Sequence, residues 1–211
     1  MSLTESYRKV DSKNNREFSK ILKEYLNINE YVARKWQWHD APWWYNERAN
    51  LSIFAAAVWK VGGVAFEEYT SEKRTDKKSS LKKYYSGRND LYFQLGNEEY
   101  IVEAKLTYPN GSPRNENIKA TVLPSIKKAM NEVKNNNILG MKKSAVVFAI
   151  PKFAISKKDN MDHLIKRWID NIKTINYTAA AWTFPKQART SYIWNDSYYF
   201  PGACVIIKLV K

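Results

Sequence analysis

Apolar residues recur along the chain at two spacings, near 3.6 and near 2, and their succession predicts helices and strands in turn. A polar helix is expected over Asn15 to Leu26. A second is expected over Tyr45 to Trp59, where Leu51, Phe54, Ala55 and Val58 share one face and Gly62-Gly63 stops the helix. Val64 to Thr70 has a strand pattern. Between Arg88 and Leu106 the period becomes two: Leu91, Phe93 and Leu95 alternate with polar residues, Gly96-Asn97 supplies a turn, and Tyr100, Val102, Ala104 and Leu106 alternate again. That is a hairpin. Tyr108 to Asn117 is loop, and the helix that follows to about Asn137 must be opened or kinked by Pro124. Lys143 to Ile150 forms a continuous apolar strand, Asp159 to Ile175 a helix, and Thr178 to Phe184 and Ala203 to Val210 two further strands.

The order helix, three strands, helix, strand, then helix and strands predicts an α/β fold: a mixed sheet covered by helices, with an αβββαβ core. The 211 residues suit one domain. With 44% apolar residues, 8 Trp and 14 Tyr, the chain is expected to fold. Its longest apolar runs, Ala145 to Ile150 and Ala203 to Ile207, are too short to span a bilayer, and the opening MSLTESYRKV has no apolar signal core. A soluble cytoplasmic protein with no membrane contact is therefore expected. The single cysteine, Cys204, leaves no internal disulfide, and His39 and His163 lie too far apart for zinc-ligand spacing, so any metal would be held by oxygen. No GxxxxGK[ST] loop is present, hence no ATP-driven motor is expected.

Lys and Arg number 35 against 21 acids, giving a formal charge of +14. A polyanionic partner, nucleic acid first, follows from that balance, although Lys- and Asn-rich chains also arise from genomic base composition alone. The candidate DNA contacts are Lys73, Arg74, Lys77, Lys78, Lys82 and Lys83 in the unpatterned stretch from Ser71 to Ser86, with Arg88 just beyond it. Lys127, Lys128 and Lys134 either face bound DNA or form a solvated helix face. Trp36, Trp38, Trp43 and Trp44, and the group Trp194, Tyr198, Tyr199 and Phe200, either stack on bases or pack the interior.

The hairpin carries the candidate chemistry. A two-residue turn at Gly96-Asn97 pairs Leu95 with Glu98, Phe93 with Tyr100, Leu91 with Val102 and Asp90 with Glu103. The apolar pairs share one face, and Asp90, Glu103 and Lys105 share the other. Directly opposed carboxylates are destabilising, with Cβ atoms about 4.5 to 5.5 Å apart. A shared proton, Lys105 or a divalent cation such as Mg²⁺ would offset the repulsion. Glu47 precedes Leu51, Phe54, Ala55 and Val58 by four, seven, eight and eleven residues, which sets it on the apolar stripe of its helix. A carboxylate there either approaches the same site or is favoured by the helix macrodipole.

Arg88-Asn89-Asp90, then twelve residues, then Glu103-Ala104-Lys105, resembles the signature of the PD-(D/E)XK nuclease superfamily, the restriction-endonuclease-like fold. Asn89 stands where the family often has proline. The resemblance covers roughly residues 45 to 150. It implies that Asp90 and Glu103, with the Ala104 backbone carbonyl and a supporting Glu47, hold Mg²⁺, with Mn²⁺ able to substitute. Lys105 would orient the attacking water or neutralise charge on the phosphate. The activity it implies is metal-dependent endonucleolytic hydrolysis of double-stranded DNA, of restriction-endonuclease type, by a homodimer. A structure-selective or repair nuclease of the same superfamily and a non-catalytic basic DNA-binding protein are the alternatives.

Overall fold

The computed structural model describes residues 7–12, 15–74, 84–111, 116–136 and 140–210. Strand β1 (Arg8–Asp11) precedes helix α1 (Arg16–Lys35), whose first turn is capped by the Asn15 side chain accepting the Phe18 N–H at 2.9 Å. This helix runs nine residues past the expected end at Leu26. Its buried stripe continues through Asn29 and Ala33, and Asn29 fits because its amide donates to the Tyr25 carbonyl at 2.8 Å. A 3₁₀ turn at Pro42–Trp44 leads into α2 (Glu47–Lys60), capped by Asn46 in the same way. Strands β2 (Val64–Arg74), β3 (Tyr84–Leu95) and β4 (Glu98–Thr107) follow, then α3 (Glu116–Lys134) and β5 (Lys142–Ala149). Beyond them come β6 (Phe153–Ala154), α4 (Met161–Lys173), β7 (Ala179–Thr183), β8 (Ile193–Trp194), β9 (Tyr198–Tyr199) and β10 (Ala203–Leu209).

Seven strands form one mixed sheet in the order β1-β7-β10-β5-β4-β3-β2, in which only β4 and β5 are parallel. The crossover between those two is α3, as a parallel pair requires. Alternating side chains send Phe93, Val102, Phe148 and Val205 to one face, where they pack with Phe18, Tyr25, Phe54 and Val58 of α1 and α2. On the opposite face Val147, Trp182 and Ile206 meet α3 and α4 through Val122, Ile126, Ile165 and Trp168. The molecule is thus α/β, with a mixed sheet flanked by four helices. Among the described residues no helix is long and apolar enough to cross a membrane.

Three departures from the sequence pattern have physical causes. The stretch from Ser71 to Ser86 is strand at both ends, because β2 and β3 extend as a hairpin arm paired from Val64↔Gln94 to Arg74↔Tyr84. The letters from Ser71 to Ser86 contain no apolar alternation, so periodicity carried no signal there. Pro124 lies inside α3 and does not open it. The short strands β1, β6, β8 and β9 fall below the length at which alternation can be recognised.

A three-strand satellite sheet, β6-β9-β8, sits beside the end of β4. It is tied there by paired backbone bonds: the Lys152 N–H donates to Pro109 O at 3.1 Å and Gly111 N–H to Lys152 O at 2.8 Å. Gly111 has no room for a side chain, since a Cβ would lie 1.9 Å from the buried Phe153 ring. Gly111→Ala is therefore expected to destabilise the fold by about 1 to 3 kcal/mol through overpacking. A thermal melt should show Tm lowered by several degrees, and an unchanged Tm would mean the loop repacks freely.

Candidate active site

The β3–β4 register has Leu95↔Glu98, Phe93↔Tyr100 and Leu91↔Val102, and there it stops. The expected Asp90↔Glu103 pair does not form part of the ladder. Beyond Leu91 the strand β3 stays with β2, while β4 stays with β5, so the sheet parts at this point. On β4 the amides of residues 98, 100, 102, 104 and 106 face β3, because alternate residues direct their backbone groups to the same side. The Ala104 N–H donates not to a strand carbonyl but to Asp90 Oδ2, at 2.7 Å. The next such amide, Leu106 N–H, donates to Glu47 Oε2 at 2.7 Å. Two carboxylates from different elements thus stand in for two rungs of a ladder.

The backbone around Asp90 is shaped for this. Pairing between β2 and β3 runs Glu67↔Leu91 and then Tyr69↔Asn89, interrupted at Glu68 and Asp90. Glu68 takes φ of 55°, a left-handed conformation that costs a non-glycine residue on the order of 1 to 3 kcal/mol. Its carboxylate is held by Arg48 Nη2 at 2.7 Å and Arg88 Nη1 at 3.3 Å. Asp90, released from the ladder on both sides, is free to turn its side chain across the gap.

Glu47 arrives from the other face of the sheet. It is the first residue of α2, where the helix N-terminus favours an anion. Burial nevertheless pushes its carboxyl pKa above the ordinary value; the Leu106 N–H and Lys105 pull it down, while Asp90 and Glu132 push it further up. Lys105 projects on the α3 side, where its Nζ lies 2.6 Å from Glu132 Oε2. Burial alone would lower its pKa, but the bond to Glu132 and the charges of Asp90 and Glu47 outweigh that and hold it above the ordinary value. Lys105 is therefore a cation fixed by Glu132 and stabilised by the charges of Asp90 and Glu47.

Glu103, on the same face of β4 as Lys105, is 4% exposed and engaged by partners within the fold. The Ala104 carbonyl opens toward the β3 side together with its amide. The oxygens that could hold a cation are accordingly the outer carboxylate atoms of Asp90 and Glu47, the Ala104 carbonyl and Glu103. Among the described residues no three His, Cys, Asp or Glu side chains converge as a ready metal cage.

The sequence pattern did not identify Glu132. A signal existed: it follows Ala129 by three residues at the edge of the stripe formed by Ile118, Val122, Ile126, Ala129 and Val133. Of the expected DNA contacts, Lys127 and Lys128 are exposed on α3, and Arg88 is exposed but paired with Glu68. Lys73 and Arg74 belong to β2; Lys77, Lys78, Lys82 and Lys83 lie outside the described residues. Another basic surface is a groove of about 980 Å³ lined by Lys134, Lys142, Lys143 and Lys208. Because Lys142 pairs with Tyr100, it lies six residues, roughly 20 Å, along β4 from Leu106. Of the tryptophans, Trp43 is fully buried and donates to Phe200 O at 3.1 Å, Trp36 is exposed, and Trp44 borders a cleft near Tyr108. Asp40 binds the Ala41 amide, the Trp44 indole and the Tyr45 hydroxyl.

A raised carboxyl pKa has a defined consequence for stability. Between the unfolded and folded pKa values of Glu47 the folded state binds more protons, so stability falls as pH rises through that window and the penalty persists above it. Glu47→Gln removes the charge and keeps an acceptor for Leu106. Without divalent metal its Tm should exceed the wild-type value at pH 7, and the gap should shrink as pH falls to about 4, near the ordinary carboxylate range. Equal Tm values at pH 7 would mean that Glu47 carries no such penalty.

Compared with family models, with curated proteins and with solved structures, the chain matches none of them.

Proposed function

We propose that the protein is a Mg²⁺-dependent nuclease acting on double-stranded DNA, with a site of PD-(D/E)XK type. The observation that carries this reading is the replacement of two ladder rungs by Asp90 and Glu47 where β3 and β4 part, with Lys105 fixed beside them. Support also comes from the succession α2, β2, β3, β4, α3, β5 with β4 and β5 parallel, which follows the helix, three strands, helix, strand order of that superfamily. The net charge of +14 suits a polyanionic substrate.

The donor set fits the cation. Mg²⁺ takes oxygen ligands and is commonly held by one or two carboxylates, with water and substrate phosphate completing the shell, so it needs no three-residue cage. Asp90, Glu47, Glu103 and the Ala104 carbonyl would hold it. A cation would also offset their like charges, since Asp90 and Glu132 both push the Glu47 carboxyl pKa up and Lys105 only partly counters them. When bound, Mg²⁺ supplies polarisation of a phosphate oxygen and a lowered pKa for water.

The chain's own groups have separate tasks. Lys105 keeps its proton at neutral pH, because its neighbours hold its pKa above the ordinary value. It therefore serves as a charged donor to the phosphate or the attacking water and not as a general base. Glu132 positions Lys105 Nζ. The Ala104 and Leu106 amides fix the two carboxylates, so their geometry does not have to be organised at the moment of reaction.

Incubating plasmid and short duplexes with the protein and Mg²⁺ tests the reading, with EDTA as the control. Cleavage by the wild type should be abolished in Asp90→Ala and in Glu103→Ala, each of which still binds duplex. Lys105→Ala should lower the rate by about 10²- to 10³-fold, as loss of one charge-stabilising donor does. Glu47→Gln should slow cleavage less than loss of Asp90 and raise the Mg²⁺ concentration required. Cleavage by Asp90→Ala at the wild-type rate would place the chemistry elsewhere, and duplex binding without cleavage would favour the non-catalytic alternative.

A further inference from the structure

Beside the proposed site lies a cleft of about 300 Å³ lined by Trp44, Tyr108, Lys152, Trp194 and Phe200. Four of the five walls are aromatic and the fifth is a cation. The Tyr108 hydroxyl donates to the carbonyls of Trp44 and Tyr45 at 3.0 and 2.8 Å, which locks the end of β4 to the entry of α2. The Phe200 ring lies 6.0 Å from that of Trp44 and 5.7 Å from that of Tyr108. Trp194 forms the outer wall from the β8–β9 turn, where Asn195 and Asp196 both take left-handed φ of 46°, and it is 46% exposed. Lys152 Nζ lies 5.0 Å above the Tyr198 ring, and among the described residues no carboxylate pairs with it.

We propose that this cleft takes one unpaired DNA base, stacked against Trp194 and Trp44, while Lys152 meets an adjoining phosphate of the same strand. The assignment rests on the nuclease reading for where that strand runs. Planar aromatic walls offer π-faces that suit any base, whereas an aliphatic ligand would be met by Leu, Ile or Val. A single cation at an otherwise apolar cleft matches a nucleotide, which joins an aromatic ring to one negative charge. Position agrees as well. Tyr108 lies two residues beyond Leu106, about 7 Å along the chain, which is two nucleotide steps at roughly 3.4 Å of axis each. A base in a paired stack cannot enter such a cleft, so the ligand is a base already unpaired or turned out of the duplex.

Binding by the full-length protein should be measured in EDTA, so that no cleavage intervenes, on three fluorescent DNAs: a paired duplex, the same duplex with one extra unpaired base, and that duplex with an abasic residue in place of the extra base. The wild type should prefer the unpaired base over both others by roughly 5- to 150-fold, the range for one base stacked on an aromatic ring. Its tryptophan fluorescence should be quenched by that DNA alone. Trp194→Ala should lose the preference, Trp194→Phe should keep most of it, and Lys152→Gln should weaken all three DNAs. Absence of the preference in the wild type, or its survival in Trp194→Ala, overturns the assignment. Cleavage in Mg²⁺ without the preference removes the base site and leaves the nuclease reading standing. The preference without cleavage does the reverse, and binding to none of the DNAs overturns the base site.

Discussion

Everything at the candidate site depends on where two amides of one strand send their hydrogen bonds. Ala104 and Leu106 face a neighbour that has left them, and a buried N–H without an acceptor would cost on the order of 1 to 3 kcal/mol. Asp90 and Glu47 supply the acceptors at 2.7 Å each. The sheet can therefore part without orphaned donors, and the parting delivers two carboxylates to one opening. Structure and site share the same bonds: each carboxylate uses one oxygen to complete the fold and has a second left over at the gap.

The arrangement has a price in electrostatics. One ammonium, Lys105, is paired with Glu132 and also feels the charges of Glu47 and Asp90, and Glu68 holds a left-handed backbone opposite Asp90. Such concentrations of strain and like charge persist where the remaining structure over-determines them. Here that determination comes from buried packing on both faces of the sheet, with Phe54, Phe93 and Tyr100 stacked beneath β3 and β4 and Val133 and Ile101 above. Neutralising one carboxylate should relieve the molecule, and a divalent cation would do so without loss of any acid. This is the physical link between the stability of the metal-free protein and the proposed chemistry.

Hydrophobic alternation was sufficient to place the hairpin and its register as far as Leu91↔Val102, because the alternate pairs Leu95↔Glu98, Phe93↔Tyr100 and Leu91↔Val102 each bury an apolar side chain. It could not show that the ladder ends one residue later. The end is decided by an Asp side chain competing with a backbone carbonyl, and both choices leave the same pattern of polar and apolar letters. Glu47 was legible for a related reason: its spacing from Leu51 and Phe54 is a property of one helix. Its partner was not, since Leu106 is fifty-nine residues away. The outer part of the β2–β3 pairing escaped detection because the sequence from Ser71 to Ser86 is almost wholly polar and carries no apolar period.

The satellite sheet is attached to the main fold without sharing the bonds of its strained centre. Strands β6, β8 and β9 contribute no ladder bond to the seven-stranded sheet, yet Lys152 and Gly111 pin them to the segment that follows β4. Phe153 fills the space that a side chain at Gly111 would need, so the attachment is held by close packing as well as by hydrogen bonds. Trp194 can then project from a two-strand ribbon whose own turn is strained and exposed, while Phe200 and Trp43 anchor its base through the indole bond to the Phe200 carbonyl. An outer wall on so small a unit can change its side chains without altering the bonds at Ala104 and Leu106. The aromatic cleft and the geometry of the carboxylates thereby rest on separate sets of contacts, linked where the Tyr108 hydroxyl meets the carbonyls of Trp44 and Tyr45.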